Sequence, residues 1–231
     1  MRTPRSVPFT TRTSFSTLRP RMAETKICGI SNRDALDAAI AGGARFAGLV
    51  FFPKSPRHLS LDAAAALAEQ ARGRVEIVAL TVDAPDQQLG AIAAAVRPDW
   101  LQAHGAEPPA RVAAIRRFAS KGVIKAIGVA RADDLAQAAA YEPVADMLLF
   151  DAKPPPGGLP GGNAAAFDWQ ILAGKRFSLP WMLSGGLTPQ NVAEAIRVSG
   201  AGLVDVSSGV ESAPGLKDPT RIAEFLAAAR R

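Results

Sequence analysis

The sequence predicts a single (β/α)8 (TIM) barrel of the α/β class spanning residues 24–231, preceded by a disordered basic extension over residues 1–23. Three observations predict it. Eight short apolar runs follow one another from residue 24 onward, each run precedes a helix-periodic segment, and the last two runs open into glycine- and serine-rich turns. Uninterrupted apolar strands joined by helices form a parallel sheet buried on both faces. Eight such units close a barrel, whereas an open doubly wound sheet usually carries about five or six strands.

The eight runs, in order, are Lys26–Ile30, Phe46–Phe52, Val75–Val82, Trp100–His104, Val123–Val129, Met147–Asp151, Trp181–Ser184 and Leu203–Val206. The first helix is expected over Asn32–Ala41, with Asn32 as its cap and Leu36 and Ile40 on one face. Leu61–Arg72 follows Ser60, and Asp83–Val96 and Pro108–Ala119 come next, the latter with prolines in its first turn. Ala132–Tyr141, Asp168–Leu172, Pro189–Val198 and Pro219–Ala229 complete the set. Thr188-Pro189 and Asp218-Pro219 both read as an N-cap followed by a first-turn proline. The stretch Lys153–Ala166 is longer and richer in Pro and Gly than a tight connection needs, which suggests an active-site loop.

Composition narrows the function classes. Hydrophobic residues make up 48% and charged residues 21% of the 231, an ordinary globular balance. No apolar run approaches the roughly 18–20 residues that span a bilayer. Of the net charge of +6, five charges belong to Arg2, Arg5, Arg12, Arg19 and Arg21, so the basicity marks the tail and not a nucleic-acid-binding face. The tail is Arg- and Ser-rich without acids, as targeting segments are, but its three prolines spoil an amphipathic helix, which favours a disordered extension. The single cysteine allows no intrachain disulfide and fits a reducing compartment such as the cytoplasm. Two histidines and one cysteine do not build an ordinary zinc site, so neither metal nor cofactor is expected.

Barrel chemistry sits at the carboxyl ends of the strands. Ser184-Gly185-Gly186 ends the seventh run and Asp205-Val206-Ser207-Ser208-Gly209 the eighth, a pair suited to presenting backbone N–H groups to an anion. The alternative is two tight strand-to-helix turns. Cys28 is either a small core hydrophobe or a strand-end thiol at the barrel mouth, where neighbouring cations and amides lower its pKa toward the thiolate. Lys26, two residues before it, faces the same side. Asp151 is either a loop anchor or a general acid whose proton is retained by burial. Arg57, on the loop Phe52-Pro53-Lys54-Ser55-Pro56-Arg57, suits bidentate capture of a carboxylate, against the ordinary fate of a solvated charge. His104 is a candidate base by residue type alone and equally a packed histidine.

Taken together, Lys26-Ile27-Cys28-Gly29-Ile30, the Phe52–Arg57 loop, Gln102-Ala103-His104-Gly105, Leu149-Phe150-Asp151, Phe167-Asp168-Trp169, Leu183–Leu187 and Asp205–Glu211 resemble the phosphoribosylanthranilate isomerases, in order, over about residues 25–216. The resemblance implies an Amadori rearrangement in tryptophan biosynthesis, converting N-(5-phosphoribosyl)anthranilate to 1-(2-carboxyphenylamino)-1-deoxyribulose 5-phosphate, in a monomer or homodimer with a small phosphosugar-anthranilate substrate. It implies Asp151 as general acid, Cys28 as general base, Arg57 on the anthranilate carboxylate, and Gly185, Gly186, Asp205, Ser207, Ser208 and Gly209 as substrate-binding residues around the phosphate. The segment Phe150-Asp151-Ala152-Lys153-Pro154 and the proline-rich loop after it depart from the family pattern.

Two other readings remain at this point. A related phosphosugar barrel enzyme would need either a His/Asp metal cluster or catalytic lysines and glutamates at strand ends, where only Lys26 and Lys125 come close. A barrel that binds a phosphorylated ligand without catalysis would tolerate Cys28→Ala and Asp151→Asn.

Overall fold

A computed structural model describes residues 22–153 and 166–231. The tail and most of the Pro/Gly loop, each the subject of an expectation above, lie outside the described residues. The eight strands are β1 (Glu24–Cys28), β2 (Phe46–Phe51), β3 (Glu76–Thr81), β4 (Trp100–Ala103), β5 (Gly122–Val129), β6 (Met147–Ala152), β7 (Trp181–Leu183) and β8 (Leu203–Val206). They pair in parallel, each with the next, and β8 pairs with β1 to close the barrel.

Among the described residues, seven α-helices lie outside: α1 (Arg33–Ala41), α2 (Leu61–Ala71), α3 (Asp86–Val96), α4 (Pro109–Ile115), α5 (Ala138–Tyr141), α6 (Val192–Ser199) and α7 (Pro219–Ala228). Asn32, Ser60 and Asp218 cap α1, α2 and α7 through their side chains, as their sequence positions lead one to expect.

Five expected helices come out differently: the one after β4 ends at Ile115 and tightens to a 3-10 turn over Arg116–Phe118, and the other four differ as follows. α3 starts at Asp86 because Asp83 is left-handed (φ 48°) and its carboxylate accepts from Ala106 N, which ties it to the next loop. The segment after β5 is a 3-10 helix, Ala132–Gln137, followed by the single turn of α5; Asp134 accepts from the N–H groups of Ala130 and Arg131 at its start. After β6, Asp168 caps only the 3-10 turn Trp169–Leu172. Thr188 does not cap α6: the Asn191 side chain accepts from Thr188 N and donates to Gly186 O, building a turn through Pro189 before the helix begins at Val192. A small antiparallel hairpin, β9 (Glu211–Ala213) and β10 (Leu216–Lys217), turns at Pro214-Gly215 and was not anticipated.

The core has two parts. Leu, Ile, Val and Ala from the outer strand faces pack under the helices. Inside the barrel, Phe46, Val78, Trp100, Ile124, Met147, Leu149, Met182 and Leu203 fill the lower layers. Above them the inward positions become polar: Lys26, Gln102, Ser184 and Asp205 are all buried. Strand alternation carries that column upward to Cys28, His104, Asp151 and Ser207 at the mouth.

Candidate active site

One cleft at the carboxyl ends of the strands is lined by Cys28, Ser55, Arg57, His104, Asp151, Ser184, Asp205 and Ser207, with Val50, Phe52, Leu80 and Val82 as its apolar wall. The sequence-derived candidates thus converge on one face. Gly185, Gly186, Ser208 and Gly209 lie at the tips of the β7 and β8 turns beside it.

Cys28 ends β1 with its thiol packed against Gly48. A Cβ at Gly48 would sit 3.1 Å from Cys28 Sγ and 3.3 Å from Lys26 Cε, so only glycine on β2 leaves room for both side chains. Lys26 Nζ donates to Asp205 Oδ1 at 2.9 Å, and Ser184 Oγ donates to Asp205 Oδ2 at 3.1 Å. Burial alone would pull the ammonium down, but Asp205 and Cys28 outweigh it and hold Lys26 above the ordinary lysine value. The thiol behaves oppositely. Burial pushes Cys28 up, Lys26 offsets part of that, and Asp205 adds to it. The expectation of a depressed thiol is therefore corrected: the apolar wall outweighs the nearby cations.

Asp151 emerges on β6, three strands from β1 around the ring by way of β8 and β7. Its Oδ1 accepts from Ala152 N at 2.9 Å, and its Oδ2 lies 3.3 Å from His104 Nε2. His104, undecided from sequence, is a mouth residue in contact with this carboxyl.

Arg57 is no solvated charge. It is 8% exposed and grips Glu211 in a fork, Nε to Oε1 at 2.6 Å and Nη2 to Oε2 at 2.7 Å. The face expected to capture a carboxylate in bidentate fashion is already occupied from within the chain. Glu211 also receives Lys217 Nζ from β10, and Lys217 reaches Ser207 O at 3.2 Å. Burial would raise Glu211, yet Arg57 and Lys217 hold its carboxyl below the usual value. Asp205, expected to touch substrate, has both oxygens engaged by Lys26 and Ser184.

The β7 and β8 turns form a second, adjoining depression lined by Gly186, Leu187, Thr188, Pro189, Gln190, Ser208, Gly209, Arg221 and Glu224. Gly209 presses on the opposite turn so closely that a Cβ there would stand 1.9 Å from Leu187 O. Gly185 and Gly186 take positive φ (89° and 63°), which glycine adopts without strain, and Gly185 lies so close to β6 that a Cβ there would stand 2.6 Å from Ala152 N. A bare glycine backbone is suited to an anion.

Sequence reasoning missed Glu211, Lys217, Gln102 and Glu107 as parts of the site. The Pro214-Gly215 dipeptide was a turn signal that would have folded Lys217 back toward Glu211. Lys125, weighed above as a possible catalytic lysine, instead pairs with buried Glu107 at 2.8 Å.

Residues 25–228 match the family model described as N-(5'phosphoribosyl)anthranilate (PRA) isomerase. A relative from Paramagnetospirillum magneticum bearing the name N-(5'-phosphoribosyl)anthranilate isomerase is 58% identical over 208 residues, covering 90% of this chain and 97% of its own. The crystal structure of phosphoribosyl anthranilate isomerase from Thermotoga maritima superposes with a TM-score of 0.81 at 35% identity, covering 90% and 98% of the two chains. A structure of such an isomerase with reduced 1-(o-carboxyphenylamino)-1-deoxyribulose 5-phosphate reaches 0.77 at 33% identity, with 90% and 98% covered.

Proposed function

The chain belongs to the N-(5'-phosphoribosyl)anthranilate isomerase family, and we propose that it performs that Amadori rearrangement with Asp151 as general acid and Cys28 as general base. The carrying observation is that both side chains line one cleft whose rim is the glycine-rich pair of turns after β7 and β8.

Asp151 protonates the furanose ring oxygen. The C1′–O bond breaks toward that oxygen, and the anthranilate nitrogen lone pair closes a C1′=N iminium. The iminium acidifies the C2′ hydrogen, which the Cys28 thiolate removes to give an enolamine that tautomerises to the ketone. A buried thiolate is a stronger base than a solvated one, which suits removal of a proton from carbon. Lys26 stands beside the sulfur and limits the cost of its negative charge.

The phosphate occupies the turns of Gly185, Gly186, Ser207, Ser208 and Gly209, where backbone N–H groups face it. The anthranilate carboxylate meets Arg57 on the edge of the guanidinium not gripped by Glu211. The same pairing fixes the arginine, so little entropy is lost when substrate binds. Asp205 serves the site from below by fixing Lys26.

Among the described residues no helix is long and apolar enough to cross a membrane. A cytoplasmic enzyme of tryptophan biosynthesis, monomeric or homodimeric and without nucleic-acid or membrane partners, completes this reading. Residues 1–23 form an extension outside the catalytic domain 24–231.

The test is a fluorescence assay on freshly prepared N-(5'-phosphoribosyl)anthranilate. Cys28→Ala and Asp151→Asn should each lose at least about 100-fold in turnover, the lower range for deleting an acid or base. Unchanged turnover in either variant removes that residue from the mechanism.

A further inference from the structure

We propose that Gln102 and His104, on and just after β4, are positioning residues that orient Asp151 and stabilise the carboxylate it becomes when it gives up its proton. This rests on the reading of Asp151 as the acid.

Gln102 is fully buried inside the barrel. Its Nε2 lies 2.7 Å from His104 Nδ1, while its Oε1 is buried without a partner among the described residues. An orphaned carbonyl is unfavourable at full burial, where a methionine of similar length would satisfy packing alone. The amide's other end accounts for its presence. In the tautomer whose Nδ1 accepts from this amide, the imidazole proton sits on Nε2. Nε2–H then donates toward Asp151 Oδ2, 3.3 Å away.

The turn bearing His104 is held from several sides. His104 N donates to Thr81 O at 2.9 Å. Gly105 N donates to Glu107, and Gly105 O accepts from Lys125 Nζ at 2.7 Å, with the Lys125–Glu107 ion pair closing the clamp.

The consequence is differential. A protonated Asp151 gains little from donors on its oxygens. Once its proton has passed to the ring oxygen, Ala152 N–H and His104 Nε2–H both face a full negative charge. The pair therefore favours the ring-opened state over the ground state, which raises kcat and leaves KM nearly untouched.

The experiment compares Gln102→Met, His104→Ala, His104→Gln and Asp151→Asn in the same assay, with thermal unfolding of each. Gln102→Met should keep or raise the unfolding midpoint while kcat falls about 10-fold, with KM within about twofold, the loss expected from one weakened charge-assisted hydrogen bond. His104→Ala should lose about 10- to 100-fold in kcat, and His104→Gln, which retains an N–H able to reach Asp151, should recover most of it. A folded Gln102→Met with unchanged kcat overturns the proposal, as does a His104→Gln no better than His104→Ala. Asp151→Asn separates the two readings: if it keeps activity, the acid assignment itself fails, whereas its loss beside an unaffected Gln102→Met sinks the positioning role alone.

Discussion

Lys26 Nζ and Asp205 Oδ1 lie 2.9 Å apart in an ion pair sealed inside the barrel, one pleat below the Cys28 thiol. A cation at this depth neutralises Asp205 and sits close enough to the sulfur to stabilise a thiolate. Removing it leaves two groups uncompensated. Lys26→Met should cost about 3–5 kcal/mol of stability, the usual penalty for stranding a buried charge, and should lower kcat as well. A double variant, Lys26→Met with Asp205→Asn, should recover stability without recovering turnover. Equal recovery of both would show that the pair is structural only.

Cys28 is the chain's one thiol, so its titration can be followed by thiolate absorbance, with Cys28→Ser as the blank for the single tyrosine. Because burial raises the folded value above the ordinary 9.0, the absorbance midpoint of the native protein should lie above that of the unfolded chain. The folded state holds this proton more tightly. Its contribution to stability is therefore present below pH 9 and is lost as the pH rises through the folded midpoint. In Cys28→Ser that alkaline loss of unfolding temperature should shrink. A native midpoint below 9 would contradict the balance of burial over Lys26.

Glu211 joins Arg57 and Lys217 at the base of the proposed carboxylate site. Glu211→Ala leaves two buried cations facing each other and should destabilise by about 3–5 kcal/mol while raising KM. The two cations hold the Glu211 carboxyl below its ordinary 4.5, so its stabilisation is full above that value and declines as pH falls below it. Unfolding midpoints measured from pH 6 to pH 3 should drop less steeply in Glu211→Gln than in the parent. A parallel decline in the two proteins would dissociate Glu211 from acid stability.

Gly209→Ala tests the proposed phosphate role of the β7 and β8 turns. Its new methyl would meet Leu187 O at 1.9 Å, forcing the β7 and β8 turns apart. KM should rise about 10-fold or more, with inorganic phosphate inhibiting correspondingly less, for a strain of about 1–3 kcal/mol placed on the anion cradle. An unaltered KM would place the phosphate elsewhere.

A chain beginning at Met22 should fold and turn over at the full rate, because β1 starts at Glu24 and the family match at residue 25. Loss of activity on truncation would give the basic segment a role in the enzyme.

The barrel was legible because its cause is local: an apolar run in a parallel strand must be covered on both faces, and eight such runs appear in order. The positions of Cys28, Asp151 and the glycine turns at the barrel mouth were legible because strand ends are where a barrel exposes side chains. The start of α6 was misread at Thr188-Pro189, since the side chain of Asn191 competes for the same backbone groups and no window of sequence shows which wins. The 3-10 turns after β5 and β6 were likewise invisible to helical periodicity, which does not separate a true helix from a short tight one.

By itself the sequence determined the order of strands, the caps at Asn32, Ser60 and Asp218, and which residue stands at each strand end. All of these depend on near neighbours along the chain. Only the tertiary structure decided who faces whom. Lys26 meets Asp205 across 179 residues and Arg57 meets Glu211 across 154, because ring closure, and not proximity in sequence, brings β1 beside β8 and the β2 loop beside the last hairpin. The direction of the Cys28 shift belongs to that second class. Burial and charge act on the thiol with opposite sign, and which one prevails depends on how closely the apolar wall and Lys26 approach the sulfur.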